Sequence, residues 1–158
     1  TEMDPDTPNP VIDFMPEQKE VMSKGATMRL GSHEIRITPN TIAHKLYRTE
    51  KIFERHRHRY EVNGAYMDKL VSGGIVFSGK SPDGKRMEIL ELLNAYFYLA
   101  TQFHGEFKSR PTKPSPPYYG FVKASLDRKL GKSSPKFWEG NLFHKASSRM
   151  HTSSSIGL

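Results

Sequence analysis

The sequence predicts an α/β fold, with α+β as the other reading, rich in strands and closing on a helix. Three observations carry this. Residues 33–38 alternate polar and apolar with the strand period of two (Glu34, Ile35, Arg36, Ile37). Two apolar runs, 75–77 and 87–93, flank the turn signal Ser81-Pro82-Asp83-Gly84, which predicts a hairpin. Near the end, Phe121, Val122 and Leu126 fall on helical spacing within 118–130, after the Pro-rich link 110–117.

The remaining elements follow in order. The apolar run 11–15 reads as a strand, and the glycine-bracketed stretch 24–31 as a loop leading into one. Ile42 and Leu46, four apart, predict a short helix over 41–47. Residues 54–62 read as extended and 66–71 as a further helical turn. The continuous apolar run 96–103 has the length of a strand and ends abruptly at His104-Gly105-Glu106. There is no internal repeat.

Composition narrows the function classes. The 158 residues suit one domain or part of one. No window approaches the roughly 18 apolar residues of a membrane span, so no membrane association is expected. The acidic, Pro-rich start Thr1-Glu2-Met3-Asp4-Pro5 predicts neither a signal nor a transit peptide. Since the first residue is not Met, a segment of a longer protein is expected. Cys is absent, which removes disulfides, thiolate metal sites and any cysteine nucleophile from this chain. The net charge of +7 is concentrated late: 128–158 holds six basic residues and one acid. That Ser-rich stretch reads as a disordered basic tail, and 1–127 as the folded unit. A tail of this kind touches polyanions non-specifically, so no specific nucleic-acid partner is expected.

Three motifs carry chemistry. Gly74 to Ser81 satisfies the phosphate-loop pattern G-x-x-x-x-G-K-[ST]. Its variable positions, Ile-Val-Phe-Ser, are those of a buried strand, and a turn follows where a helix should start. The match reads as coincidence. In Arg55-His56-Arg57-His58-Arg59-Tyr60, an extended chain puts three Arg on one face and two His on the other. Such a face suits a carboxylate ligand held by a guanidinium fork; a solvated basic edge and a His-x-His metal site are the other readings. In Gln102-Phe103-His104-Gly105-Glu106-Phe107, a His and a Glu stand two apart at the end of the expected strand. The carboxylate can fix the imidazole tautomer and leave the other ring nitrogen as a base. Without Cys or a G-x-S-x-G elbow, this is two-thirds of a triad. A surface His beside a surface Glu is the bland alternative.

Together these stretches resemble the C-terminal half of the class I glutamine amidotransferase domain of CTP synthase, of eukaryotic type. The resemblance rests on Gly25 to Gly31 (GATMRLG), Glu54 to Asn63 (ERHRHRYEVN), Gln102 to Phe107 (QFHGEF) and Ser109 to Ser125 (SRPTKPSPPYYGFVKAS). It covers residues 1 to about 127 and implies the strand-rich part of a flavodoxin-like open sheet. It also implies a Cys–His–Glu glutaminase in which a thiolate outside this chain attacks the glutamine side-chain amide. His104 would be the general base and acid, and Glu106 its orienter. Arg59 would hold the glutamine carboxylate, and Glu2 the amino group. The resemblance further implies that a synthetase domain receives the ammonia and aminates UTP with ATP and Mg²⁺. GTP is the implied allosteric activator, a homotetramer the implied assembly and the cytoplasm the implied location. No metal site or cofactor is expected in this segment, and the chain alone is expected to be inactive. Two positions depart from the family pattern: Gly105 stands where Pro is usual, and Ala26 where Gly is usual. A truncated, non-catalytic paralogue that binds glutamine or a CTP synthase subunit is the alternative.

Overall fold

In a computed structural model, which describes residues 1–14, 28–92 and 94–133, the chain opens on a short strand, β1 (Ile12–Phe14). Then follow β2 (Arg29–Ile37), α1 (Ile42–Tyr47), β3 (Lys51–His58) and β4 (Tyr60–Val62). A 3-10 turn at Gly64–Tyr66 runs into α2 (Met67–Ser72), and β5 (Ile75–Lys80) and β6 (Met87–Leu92) form a hairpin. The last elements are β7 (Leu99–Thr101), a 3-10 turn at Gly105–Lys108 and α3 (Pro116–Lys129). Five strands make one sheet in the order β3-β2-β5-β6-β7, while β1 and β4 pair separately. Among the described residues every strand pairing is antiparallel. None of the described helices is long and apolar enough to cross a membrane.

The alternation in the sequence sets which face is buried. Along β3, Ile52, Glu54 and His56 point inward while Lys51, Phe53, Arg55 and Arg57 are exposed. Ile52 joins Ile35, Ile37, Ala43, Ile89 and Phe103 in the core, with Tyr47 and Leu99 packed against them. Each fully buried side chain of this size contributes roughly 1.5–3 kcal/mol. The six-residue α1 is too short to hold itself and is capped from two directions. Thr41 Oγ1 accepts from the His44 N–H at 3.1 Å. Glu91 on β6, fully buried, accepts from the Ile42 and Ala43 N–H groups at 2.9 and 2.8 Å. Helix α1 is thereby tied to the sheet.

The match to the phosphate loop is a strand. Residues 75–80 are β5, paired with β6, and Ser81 opens the turn. Its second glycine, Gly79, serves packing: a Cβ there would stand 2.6 Å from Ile89 Cγ1. No nucleotide cradle is formed, so these residues do not fit the ATP phosphates.

Three expectations need correction. The run 96–103 is strand only over Leu99–Thr101, because its aromatic residues cover a helix instead. Tyr96 donates to the Lys132 carbonyl at 3.1 Å, and the Phe97 ring lies 3.1 Å from where a Cβ on Gly120 would sit. Helix α3 exists as expected, starting on Pro116 and Pro117, whose missing N–H groups cost nothing in a first turn. Its buried stripe, however, is Gly120, Ala124 and Asp127, whereas Phe121, Val122 and Leu126 are exposed. The helix runs to Lys129, within one residue of the end expected from 118–130. The expected loop over 24–31 lies outside the described residues up to 27, Ala26 included. From Arg29 onward it is strand. The expected disordered tail lies outside them from 134.

Glu54 gives a first prediction. Its buried carboxylate accepts from Tyr47 Oη at 3.2 Å and sits 3.5 Å from Lys108 Nζ. Burial, only partly offset by Lys108, raises its pKa above the ordinary 4.5. A raised carboxyl pKa favours the fold below the ordinary value, and that contribution is lost as pH climbs through the folded-state value. Stability of the parent should therefore fall relative to Glu54→Gln as pH rises from about 4.5. At low pH, where both side chains are neutral, the two should agree within about 1 kcal/mol. Urea titrations across pH check this, and parallel curves would contradict it.

Candidate active site

Strand β7 ends at Thr101, the chain turns inward to bury Phe103, and the next side chain, His104, emerges 40% exposed. Its Nδ1 lies 2.6 Å from Glu106 Oε1. A carboxylate only accepts, so Nδ1 carries a proton, and it is Nε2 that offers a lone pair whenever the ring is neutral. The second Glu106 oxygen accepts from Tyr118 Oη on α3 at 3.1 Å. Its own backbone N–H first, then His104 and Tyr118, hold the Glu106 carboxyl below the usual range. The acid is thus ionised and aimed at the imidazole.

The turn bearing this pair is fastened to β3 at both ends. The His104 N–H donates to the Arg55 carbonyl at 2.9 Å, and Lys108 Nζ to the Phe53 carbonyl at 2.5 Å. Gly105 is buried beneath it, and a Cβ there would meet Ser115 Oγ at 2.9 Å. The bare Cα of Gly105 thus makes room for the Ser115 hydroxyl at the start of α3.

The Arg face is only partly as expected. Arg55 and Arg57 share the exposed face of β3, but Arg59 lies outside the strand, at the bend between β3 and β4. There it lines a pocket of about 360 Å³ with Glu2, Arg57, His58, Tyr60 and Gln102. Glu2 reaches it because Thr1 is tied to β1 through its hydroxyl, which donates to Asp13 Oδ1 at 2.9 Å. Glu2 and Arg59, 57 positions apart in the chain, are brought to one cavity. His104 and Glu106 form a separate cluster two residues beyond Gln102, and neither lines that cavity.

His56 and His58 are not arranged as metal ligands but bonded to one another, Nδ1 to Nε2, at 3.1 Å. Among the described residues, no group of three His, Cys, Asp or Glu is placed to hold a metal ion. Burial first, then the Arg29 guanidinium for His56, lowers the two pKa values to about 3 and about 4. Both rings are neutral at ordinary pH. Sequence reasoning missed Tyr118 and the role of His58 as a wall of the cavity. Nothing in Pro116-Pro117-Tyr118 announces a bond to Glu106, since it depends on how α3 packs.

A family model described as glutamine amidotransferase class-I matches residues 9–124. Among curated proteins, the CTP synthase of Archaeoglobus fulgidus is 61% identical over 126 residues, 80% of this chain and 24% of that protein. The CTP synthase of Thermococcus gammatolerans is 54% identical over 132 residues, 83% of this chain and 25% of that protein. The chain thus spans about a quarter of the length of the curated relatives it matches. Among solved structures, the glutaminase domain of Trypanosoma brucei CTPS with bound acivicin superposes with a TM-score of 0.72. It is 36% identical, covering 77% of this chain and 48% of that one.

Proposed function

The chain belongs to the class-I glutamine amidotransferase family, and from that premise we propose that it supplies the glutamine-recognising half of a CTP synthase glutaminase. The observation that carries this reading is the cavity shared by Glu2 and Arg59. One carboxylate and one guanidinium facing a common space match the ammonium and carboxylate that every free α-amino acid presents. The side-chain amide is then free to extend toward the His104–Glu106 pair.

In the proposed reaction a thiolate from another part of the protein attacks the glutamine amide carbon, and the C–N bond breaks. His104 Nε2 takes the thiol proton and delivers it to the departing nitrogen, which leaves as ammonia. Glu106 holds the imidazole in the required tautomer and stabilises the transient cation. Water then hydrolyses the thioester with the same base. The ammonia passes to a synthetase domain that aminates UTP using ATP and Mg²⁺, with GTP as activator, in a cytoplasmic homotetramer. This chain's own residues bind, orient and move protons.

Arg59→Ala in the full-length protein tests the reading. Glutamine-dependent CTP formation should lose about 2–5 kcal/mol in glutamine recognition, the cost of truncating one partner of a desolvated charge pair. Ammonia-dependent formation, which bypasses the cavity, should stay nearly intact. Arg59→Lys should recover only part, because an ammonium does not reproduce a bidentate fork. Equal losses with both nitrogen sources would sink the proposal. The absence of cysteine also suits a relative that only binds glutamine, and such a protein would bind it through Arg59 yet release no ammonia.

A further inference from the structure

Arg59 occupies a break between two sheets. His58, before it, pairs with Arg29 in the five-stranded sheet, whereas Tyr60, after it, pairs with Phe14 in the two-stranded one. No strand ladder therefore fixes the peptide that carries Arg59. What spans the break is a set of side chains converging on one atom, the Tyr60 carbonyl oxygen. His58 Nδ1 lies 2.9 Å from it, and Gln102 Nε2 donates to it at 3.3 Å. A carbonyl only accepts, so His58 Nδ1 is protonated and its Nε2 is an acceptor. That acceptor meets His56 Nδ1 at 3.1 Å, which must then be the donor. The proton positions of the two rings are thus determined in series. His56 is buried in the sheet beside Glu88, and the His33 ring packs perpendicular to it, the ring centroids 5.3 Å apart.

We propose that His58 is a positioning residue for substrate recognition: its bond to the Tyr60 carbonyl closes the bend that carries Arg59, and buried His56, donating to His58 Nε2, supports the tautomer that makes this bond. The low pKa values of both rings keep the relay in its neutral form over the working pH range. This inference rests on the reading of Arg59 as the glutamine carboxylate partner. His58 touches no reacting atom. It acts through the geometry of the next residue.

The test uses the full-length protein and compares His58→Asn, His58→Gln and His58→Leu. An asparagine amide N–H falls where Nδ1 stands and keeps the bond to Tyr60. Glutamine reaches only the Nε2 position, and leucine keeps neither. His58→Gln and His58→Leu should raise KM for glutamine about 10-fold with kcat changed less than about threefold, the ammonia-dependent rate being retained. His58→Asn should stay within about threefold of the parent KM. The strut is overturned if His58→Asn is as impaired as His58→Leu, or if kcat falls while KM is unchanged. Should His58→Leu fail to fold, seen as loss of the ammonia-dependent rate as well, the Asn and Gln variants decide between them. Arg59→Ala, run alongside, separates the two ideas. If it leaves KM for glutamine unchanged, the recognition reading fails. If it raises KM while His58→Gln does not, only the strut fails.

Discussion

Replacing His104 with alanine in the full-length protein is expected to lower glutamine-dependent ammonia release on the order of 10⁴-fold, with the ammonia-dependent synthesis preserved. The size of the effect follows from the site's geometry. Nδ1 is committed to Glu106 at 2.6 Å, so Nε2 is the nitrogen left to take a proton from a thiol and return it to the leaving amine. Tyr118 donates to the other Glu106 oxygen, and the carboxyl is held below its usual range, so no neighbouring base takes over. The 158-residue chain alone, which contains no cysteine, should release no ammonia above background. Release from that chain that disappears with His104→Ala would reveal a nucleophile among its own residues and overturn the thiolate mechanism. A His104→Ala loss of less than about 10-fold in the full-length protein would remove His104 from the reaction.

Arg29→Ala should be the most damaging single change to stability. Arg29 opens β2, and its guanidinium reaches Glu88 Oε1 on β6 at 2.7 Å, with side-chain exposures of 10% and 0%. Glu88 Oε2 is 3.7 Å from His56 Nδ1, but that ring is kept neutral by burial and by Arg29 itself, so it supplies no compensating charge. Truncating Arg29 strands a carboxylate in the interior, which costs about 3–5 kcal/mol. Removing both charges is different. Arg29→Met with Glu88→Leu should return stability to within about 2 kcal/mol of the parent, since an apolar pair of similar volume costs no desolvation. Denaturant unfolding of the three proteins measures this. A loss under about 1 kcal/mol in the single variant would show that Glu88 finds water or another partner.

The Glu2–Arg59 cavity and the His104 cluster draw on different levels of information. His104 and Glu106 are two apart, so any local structure that puts both side chains on one side lets them meet, and the sequence exposed the pair. Helices α1 and α3 and the β5–β6 hairpin were legible for the same reason, being set by spacing and turn chemistry within a few residues. The buried face of α3 was not legible. Large apolar residues there are exposed, and the inward stripe is Gly120, Ala124 and Asp127, with Gly120 at the point where the approach of Leu46 and Phe97 leaves no room for a side chain.

Residue identity and short-range spacing were enough for most of the element types, the family resemblance, the absence of a thiol and the local His–Glu pair. Each of these is a property of residue identity or of neighbours within one turn or one strand. Tertiary packing took Arg59 off the β3 face to share a cavity with Glu2, because that depends on the chain changing sheets between His58 and Tyr60. It also decided that Tyr118 backs Glu106, that Gly79 exists for Ile89, and that Arg29 answers Glu88 across 59 residues. Such contacts are fixed by how the sheets and helices pack, and a period of two or of 3.6 says which way a side chain points but not what it will meet.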